Sequence, residues 1–200
     1  AVMKAQVDVY KRKNISPDDA AFLEKIDQNI DKLKSLIESV LFFSKNQEPN
    51  ISKVCVGTLI EEILFDLEDK IANKYIAVNF IKDEDLCINT DDALLERLLF
   101  NIIENSVKYN RQGGSIDILT KKNGNQTIIE VSDTGVGMTD EQKERVFDLF
   151  YQADNSRSAE GFGIGLALSK EIVDALGAKI SVLDNKPQGS RFIISFLTEN

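Results

Sequence analysis

Apolar residues at Phe22, Ile26, Ile30, Leu33, Ile37, Val40 and Leu41 recur at spacings of three and four, with Asp, Lys, Gln and Glu between them. One apolar stripe along an amphipathic helix follows, predicted over about Pro17 to Ser44. Ser16 before Pro17 makes an N-cap and first-turn pair, and Asp18 and Asp19 suit the positive end of the helix dipole. Lys11–Asn14 reads as a polar turn, and Val2, Ala5, Val7, Val9 and Tyr10 as the end of an earlier helix, so the segment is expected to form a helical hairpin. Two helices alone bury too little surface, and the stripe is expected to pair with a second copy in a homodimer.

The pattern changes after Asn46–Asn50, a polar stretch with Pro49. The expected division is a partial hairpin over 1–45, a linker over 46–56 and one larger domain over 57–200. Within that domain a helix is predicted from Thr58 to about Ala72, then strands at Ile76–Ile81 and Leu86–Ile88 and a helix from Asp92 to Tyr109. Strands at Ser115–Thr120 and Thr127–Asp133 follow. A helix after Gly165 and strands at Lys179–Leu183 and Arg191–Leu197, joined by the turn Asn185–Gly189, complete the pattern. This order predicts an α+β sandwich with helices on one face of a mixed sheet.

Charge narrows the choice of ligand. The 200 residues carry 24 Lys and Arg against 33 Asp and Glu, a net charge of −9, which repels nucleic acid and anionic lipid. A phosphate-bearing ligand then needs a local pocket of cations, backbone N–H groups or a metal ion. Cys55 and Cys87 show no C-x-x-C spacing and are expected to be reduced, packed thiols. No apolar run is long enough to cross a bilayer and Ala1–Tyr10 lacks a signal-peptide pattern, so the chain as given is expected to be soluble and intracellular. It contains no histidine.

Three clusters carry candidate chemistry. Asn101, Asn105 and Lys108 share one helix face at i, i+4 and i+7, opposite Leu95, Leu99, Ile102 and Ile103. They are either a solvated face or a site in which the Asn105 amide oxygen holds Mg²⁺ and Lys108 meets phosphate. Asp133 shares the inward face of its strand with Ile129 and Val131, where a carboxylate needs a partner such as an adenine amine; a guanine carbonyl would oppose it. An Asp-Thr-Gly turn with Gly135 and Gly137 at positive φ is the alternative. Gly161-Phe-Gly163-Ile-Gly165-Leu166 runs into a helix and offers either a phosphate cradle or a hinge, and matches neither Walker A nor the dinucleotide fingerprint.

In order and spacing these clusters resemble the nucleotide boxes of sensor histidine kinases. Asn101-Ile-Ile-Glu-Asn105-Ser-Val-Lys108-Tyr109 is similar to the N box, Asp133-Thr-Gly135-Val-Gly137 to the G1 box and Phe147-Asp-Leu-Phe150 to the F box. Gly161 to Leu166 is similar to the G2 box and Gly189-Ser190-Arg-Phe192 to the G3 motif. The resemblance, over roughly 57–197, implies the Bergerat ATP-binding fold of the GHKL superfamily, with ATP and Mg²⁺ as cofactors. It implies that Asn105 carries Mg²⁺, Lys108 contacts phosphate, Tyr109 lines the adenine pocket and Asp133 reads adenine. Gly135, Gly137, Phe150, Gly161, Gly163, Gly165, Leu166 and Ser190 would line the nucleotide. Met138 to Ser158 would form a lid, with Arg157 reaching the phosphates.

Leu33–Lys45 is similar to the second helix of the family's dimerisation and phosphotransfer hairpin, and Ala1–Tyr10 to the tail of the first. In that family the phosphoacceptor histidine lies earlier on the first helix, and a response-regulator receiver domain later takes the phosphoryl group. The resemblance therefore implies the cytoplasmic portion of a sensor whose membrane contact lies in upstream segments. At the position of the glutamate base of hydrolytic relatives stands Asn101, whose amide accepts no proton from water, so a kinase is expected rather than an ATPase. Two rivals remain: a degenerate, non-catalytic binding module, and a serine kinase of the anti-sigma type.

Overall fold

The computed structural model describes residues 16, 19–20, 22–23, 25–26, 29–30, 33, 37, 48–83, 86–153 and 163–197. The expected helix tail at 1–10 and the turn at 11–14 lie outside these. The described positions from 19 to 37 are helical. Ser16 caps them as its sequence position predicts: its Oγ accepts from the Asp19 N–H at 3.1 Å and its carbonyl from Ala20 N–H at 3.0 Å. Phe22, Leu33 and Ile37, three members of the apolar stripe, are 63%, 53% and 55% exposed, while Ile26 and Ile30 are half-buried.

The linker is shorter than expected. Ile51–Cys55 forms β1, paired antiparallel with β3, Cys87–Asp91. The alternation in this short strand buries only Val54, a signal too weak to separate it from a linker. Its register sets Cys55 directly opposite Cys87, and the two form a disulfide with Cα atoms 4.0 Å apart. This corrects the expectation of free thiols: a sequence separation of 32 hides a pairing that only strand register creates. Reduction should lower stability by about 2–4 kcal/mol, the usual effect of opening such a loop. Thiol titration before and after reduction, alongside denaturant melts, checks this; two reactive thiols in the untreated chain would contradict it.

The predicted helix Thr58–Ala72 is two helices, α1 over Val56–Asp66 and α2 over Glu68–Asn73, broken at the buried Leu67. No Gly or Pro marks that break. Next come β2 (Ala77–Ile81), β3, and the long α3 (Asp92–Lys108), followed by β4 (Ser115–Asn123) and β5 (Gln126–Asp133). A short α4 (Asp140–Arg145), α5 (Gly165–Ala175), β6 (Lys179–Asp184) and β7 (Ser190–Leu197) complete the chain. Strands β2, β4, β5, β7 and β6 form one sheet in that order, parallel only between β2 and β4.

Alternation decides which face is covered. Ile116 and Ile118 of β4, Ile129 and Val131 of β5, and Phe192 and Ile194 of β7 point to one side and are buried there. Against them lie Leu95, Leu98, Leu99, Ile102 and Ile103 of α3, Ile60 and Ile63 of α1, and Leu168, Ile172 and Val173 of α5. Each such side chain contributes about 1.5–3 kcal/mol on leaving water. The result is the expected α+β arrangement of a mixed sheet with helices on one face.

Candidate functional site

Helix α3 begins at Asp91, whose Oδ1 accepts from Leu94 N–H at 3.0 Å while Oδ2 accepts from Asn50 N–H at 2.7 Å. One carboxylate thus caps the helix and pins the end of the linker to it. With Leu95, Leu98, Leu99, Ile102, Ile103 and Val107 buried, the helix can turn only one face outward, the half-buried face of Asn101, Asn105 and Lys108. Among the described residues the Asn105 side chain makes no hydrogen bond, which leaves its amide oxygen for a ligand. The Lys108 ammonium stands 5.2 Å from the centre of the Tyr109 ring. Tyr109 is 37% exposed, and burial of its phenol raises its pKa.

Asn101 already has protein partners. Its Nδ2 donates to Gly165 O at 3.2 Å and to Ser169 Oγ at 3.4 Å, and Ser169 Oγ donates to Gly165 O at 2.9 Å. It therefore ties the middle of α3 to the first turn of α5.

Asp133, 5% exposed at the end of β5, lies on the inner face as alternation requires. Its Oδ1 accepts from the N–H groups of Gly135 (2.8 Å) and Ser190 (3.2 Å). Burial pushes its carboxyl above the usual carboxylate range, and hydrogen bonds from Gly135, Ser190 and the Ser106 hydroxyl pull it part of the way back. The Ser106 hydroxyl is buried beside the carboxylate with no close hydrogen-bond partner among the described residues. Asn185 Nδ2 donates to Asp133 O at 2.8 Å.

Two glycines make this crowding possible. A Cβ on Gly189, whose φ is +134°, would overlap the Asp133 carbonyl, and one on Gly135 would overlap the Tyr109 carbonyl. Val136 N–H donates to Tyr109 O at 3.2 Å. Gly137, at φ +73°, packs on the Gly189 backbone.

Beyond Met138, which packs on the core, Thr139 and Gln142 form a capping box for α4. Lys143 of α4 bridges Asp140 and Asp184 at 2.7 and 2.8 Å. Phe150, exposed and at φ +66°, donates its N–H to Gly163 O at 2.9 Å. Leu166 packs partly against the core. Arg157 and Gly161 lie outside the described residues.

Segments far apart in sequence therefore converge: Asn101 on Gly165, Tyr109 on Gly135 and Val136, and Asp133 on Asn185, Gly189 and Ser190. Residues 90–200 match the family described as histidine kinase-, DNA gyrase B- and HSP90-like ATPases. The chain belongs to this ATPase family. The sensor protein CiaH of Streptococcus pneumoniae (strain ATCC BAA-334 / TIGR4) is 43% identical over 107 residues, 52% of this chain and 24% of CiaH. This chain thus spans about a quarter of that relative's length. The nucleotide-free catalytic domain of histidine kinase ThkA superposes with a TM-score of 0.68 at 25% identity, over 74% of this chain and 96% of that one. ThkA in complex with the response regulator protein TrrA shares the fold over 98% of this chain and 57% of that one, with a TM-score of 0.75 at 21% identity.

Sequence reasoning missed four residues of this ATPase-family site. Ser106 left a signal, a hydroxyl on the apolar side of α3 one turn from Ile102 and Ile103. Asn185 was read only as part of a turn. The buried Asn110 and half-buried Thr134 form a pair whose hydrogen bonds to Ser115 hold the loop after α3 against the end of β5.

Proposed function

We propose that this chain is the ATP-binding kinase region of a two-component sensor histidine kinase, which transfers the γ-phosphate of ATP to a histidine outside these residues and thence to a receiver domain. The buried Asp133 carboxylate carries this reading. Its Oδ1 is saturated by backbone N–H groups, and Oδ2 is left to accept from an exocyclic amine, which adenine has at the matching position and guanine lacks. Tyr109 lines the same corner. Lys108, Arg157 and the amides of Gly161, Gly163 and Gly165 supply positive potential for phosphates, against the net acidity of the chain.

Mg²⁺ fits the donors at hand. Among the described residues no cluster of three His, Cys, Asp or Glu side chains could hold an ion. The Asn105 amide oxygen is one hard ligand for an ion whose other ligands are phosphate oxygens and water. When bound, the ion would neutralise charge on the phosphates. The chain's own residues orient the nucleotide: Asp133 and Tyr109 at the base, Asn105 and Lys108 at the phosphates, Gly135 and Gly137 by close backbone approach.

Asn101 favours a kinase over an ATPase, since an amide already engaged with Gly165 and Ser169 cannot deprotonate water. Exposed Phe22, Leu33 and Ile37 support a homodimer through the helical hairpin, and a response-regulator receiver domain is the second partner of the same reading. Among the described residues no helix is long and apolar enough to cross a membrane. The proposed place is the cytoplasmic side of a membrane-anchored sensor.

Calorimetry on the chain tests this. ATP and ADP should bind with Mg²⁺, more weakly with a chelator present, and GTP should bind at least about a hundredfold more weakly, as expected when a buried acceptor meets another acceptor. Equal affinity for GTP would remove Asp133 from base recognition.

A further inference from the structure

The segment between α2 and β2 contains a cation that the nucleotide site does not obviously call for. Lys74 Nζ donates to the carbonyls of Val107 (3.1 Å), Lys108 and Asn110 (3.3 Å), so all three ammonium protons end on the last turn of α3 and the residue just past it. These carbonyls belong to the end of the helix, where acceptors have no further helical N–H to receive; Val107 O also accepts a 3.4 Å bond from Asn110 N–H. The ammonium also sits at the negative end of the helix dipole. The same turn carries Asn105, Lys108 and Tyr109.

The backbone is held in an unfavourable shape to put Lys74 there. Tyr75, exposed and non-glycine, has φ +51°, a left-handed conformation that disfavours L side chains. Hydrogen bonds lock it in place: Gly113 N–H to Lys74 O at 2.9 Å, Tyr75 N–H to Ala72 O at 2.9 Å, and Ile76 N–H to Ile71 O at 3.1 Å. One turn earlier, Lys70 makes only an exposed ion pair with Glu104. The two lysines of α2 and its end thus differ sharply in what they grip.

We infer that Lys74 is a positioning residue for nucleotide binding. It fixes the C-terminal turn of α3, so that Lys108 and Tyr109 stand ready at the phosphates and the base. It does so from outside the site and touches no ligand. The rest of α3 is anchored independently by Leu95, Leu98, Leu99, Ile102 and Ile103, all buried, so loss of Lys74 frees the end of the helix and leaves the fold intact. The remaining carbonyl of this turn, that of Tyr109, is already held by Val136 N–H and packed on by Gly135, so Lys74 and the β5 end grip the turn together.

This inference rests on the nucleotide-site reading, and the test separates the two. The wild-type chain is titrated with Mg·ATP first; absence of binding there brings down the nucleotide reading itself. Given wild-type binding, Lys74→Met should weaken ATP about tenfold, the scale of losing charge-assisted bonds that preorganise a site. Hydrogen exchange at residues 107–110 should accelerate, while amides of β4, β5 and β7 keep wild-type protection. Lys74→Arg, which keeps the charge at the helix end but cannot converge three N–H bonds from one atom, should recover part of the affinity lost in Lys74→Met. Lys70→Ala should change neither readout. Unchanged affinity in Lys74→Met would overturn the inference. So would a loss of affinity that tracks a general loss of sheet protection, or a Lys74→Arg variant as weak as Lys74→Met.

Discussion

Replacing Asp133 by Asn should weaken ATP binding by about tenfold to a hundredfold, the equivalent of about 1.5–3 kcal/mol for one buried charge-assisted hydrogen bond. The amide can keep the two bonds that Gly135 and Ser190 donate, since its Oδ1 accepts as the carboxylate does. Its second group then becomes an NH₂ that faces the amine of adenine, donor against donor. Stability should move the other way. The wild-type carboxylate is held above its usual pKa chiefly by burial, so the empty protein carries a desolvation penalty that the neutral amide lacks.

The same shift fixes a pH dependence. The folded carboxyl binds its proton more tightly than the unfolded one, so its contribution to stability is most favourable at low pH and declines as pH rises from the ordinary carboxylate value through the raised one. ATP affinity should rise across that window, as the acceptor becomes charged. Calorimetry at several pH values, paired with denaturant melts of wild type and Asp133→Asn, reads both. A variant that loses stability and keeps its affinity would place Asp133 in the core and outside the base pocket.

The second large effect is all or none. Given γ-labelled ATP, the chain as it stands should acquire no acid-labile phosphate, because no imidazole exists to attack. A version extended upstream to restore the histidine-bearing part of the first helix should label, as a dimer. The helix expected from the sequence over Pro17 to Ser44 would be about 42 Å long at 1.5 Å per residue, enough to hold the acceptor well away from the ATP domain. Acid stability tells phosphoserine from phosphohistidine. Acid-stable label on the short chain would favour the serine-kinase rival, and an extended dimer that binds ATP yet never labels would favour a degenerate module.

What the sequence could disclose follows from physics that is local. The face of Asn101, Asn105 and Lys108 was legible because the six buried aliphatic residues of α3 fix which side of the helix faces the core, and the inward Asp133 because strand alternation has period two. The helix cap at Ser16 is local in the same way. What escaped depends on register or tertiary packing. β1 exists through its pairing with β3, the disulfide through that pairing's alignment, and the break at Leu67 through burial rather than a breaker residue. Asn185 and Lys74 act on backbone carbonyls, which carry no sequence identity, so no motif could announce them. Asn101 shows the same limit from the other side. Its helix face was predicted, yet its grip on Gly165 and Ser169 depends on how α5 docks.

The pairing of β1 with β3 also has a mechanical meaning. Asn50 enters the domain beside Asp91, at the end of the ladder where Ile51 faces Asp91, and the disulfide lies at the other end. A pull on the linker would therefore peel the strand one residue at a time from the α3 end, each step loading few hydrogen bonds, until Cys55 stops it. The four residues of β1 before Cys55 could pay out about 14 Å at roughly 3.4 Å each. Beyond that length the tether is covalent, and tension passes through Cys87 into β3 and on to the first turn of the nucleotide helix. Oxidised, the domain hangs on a leash of fixed reach; reduced, the leash runs on into α1.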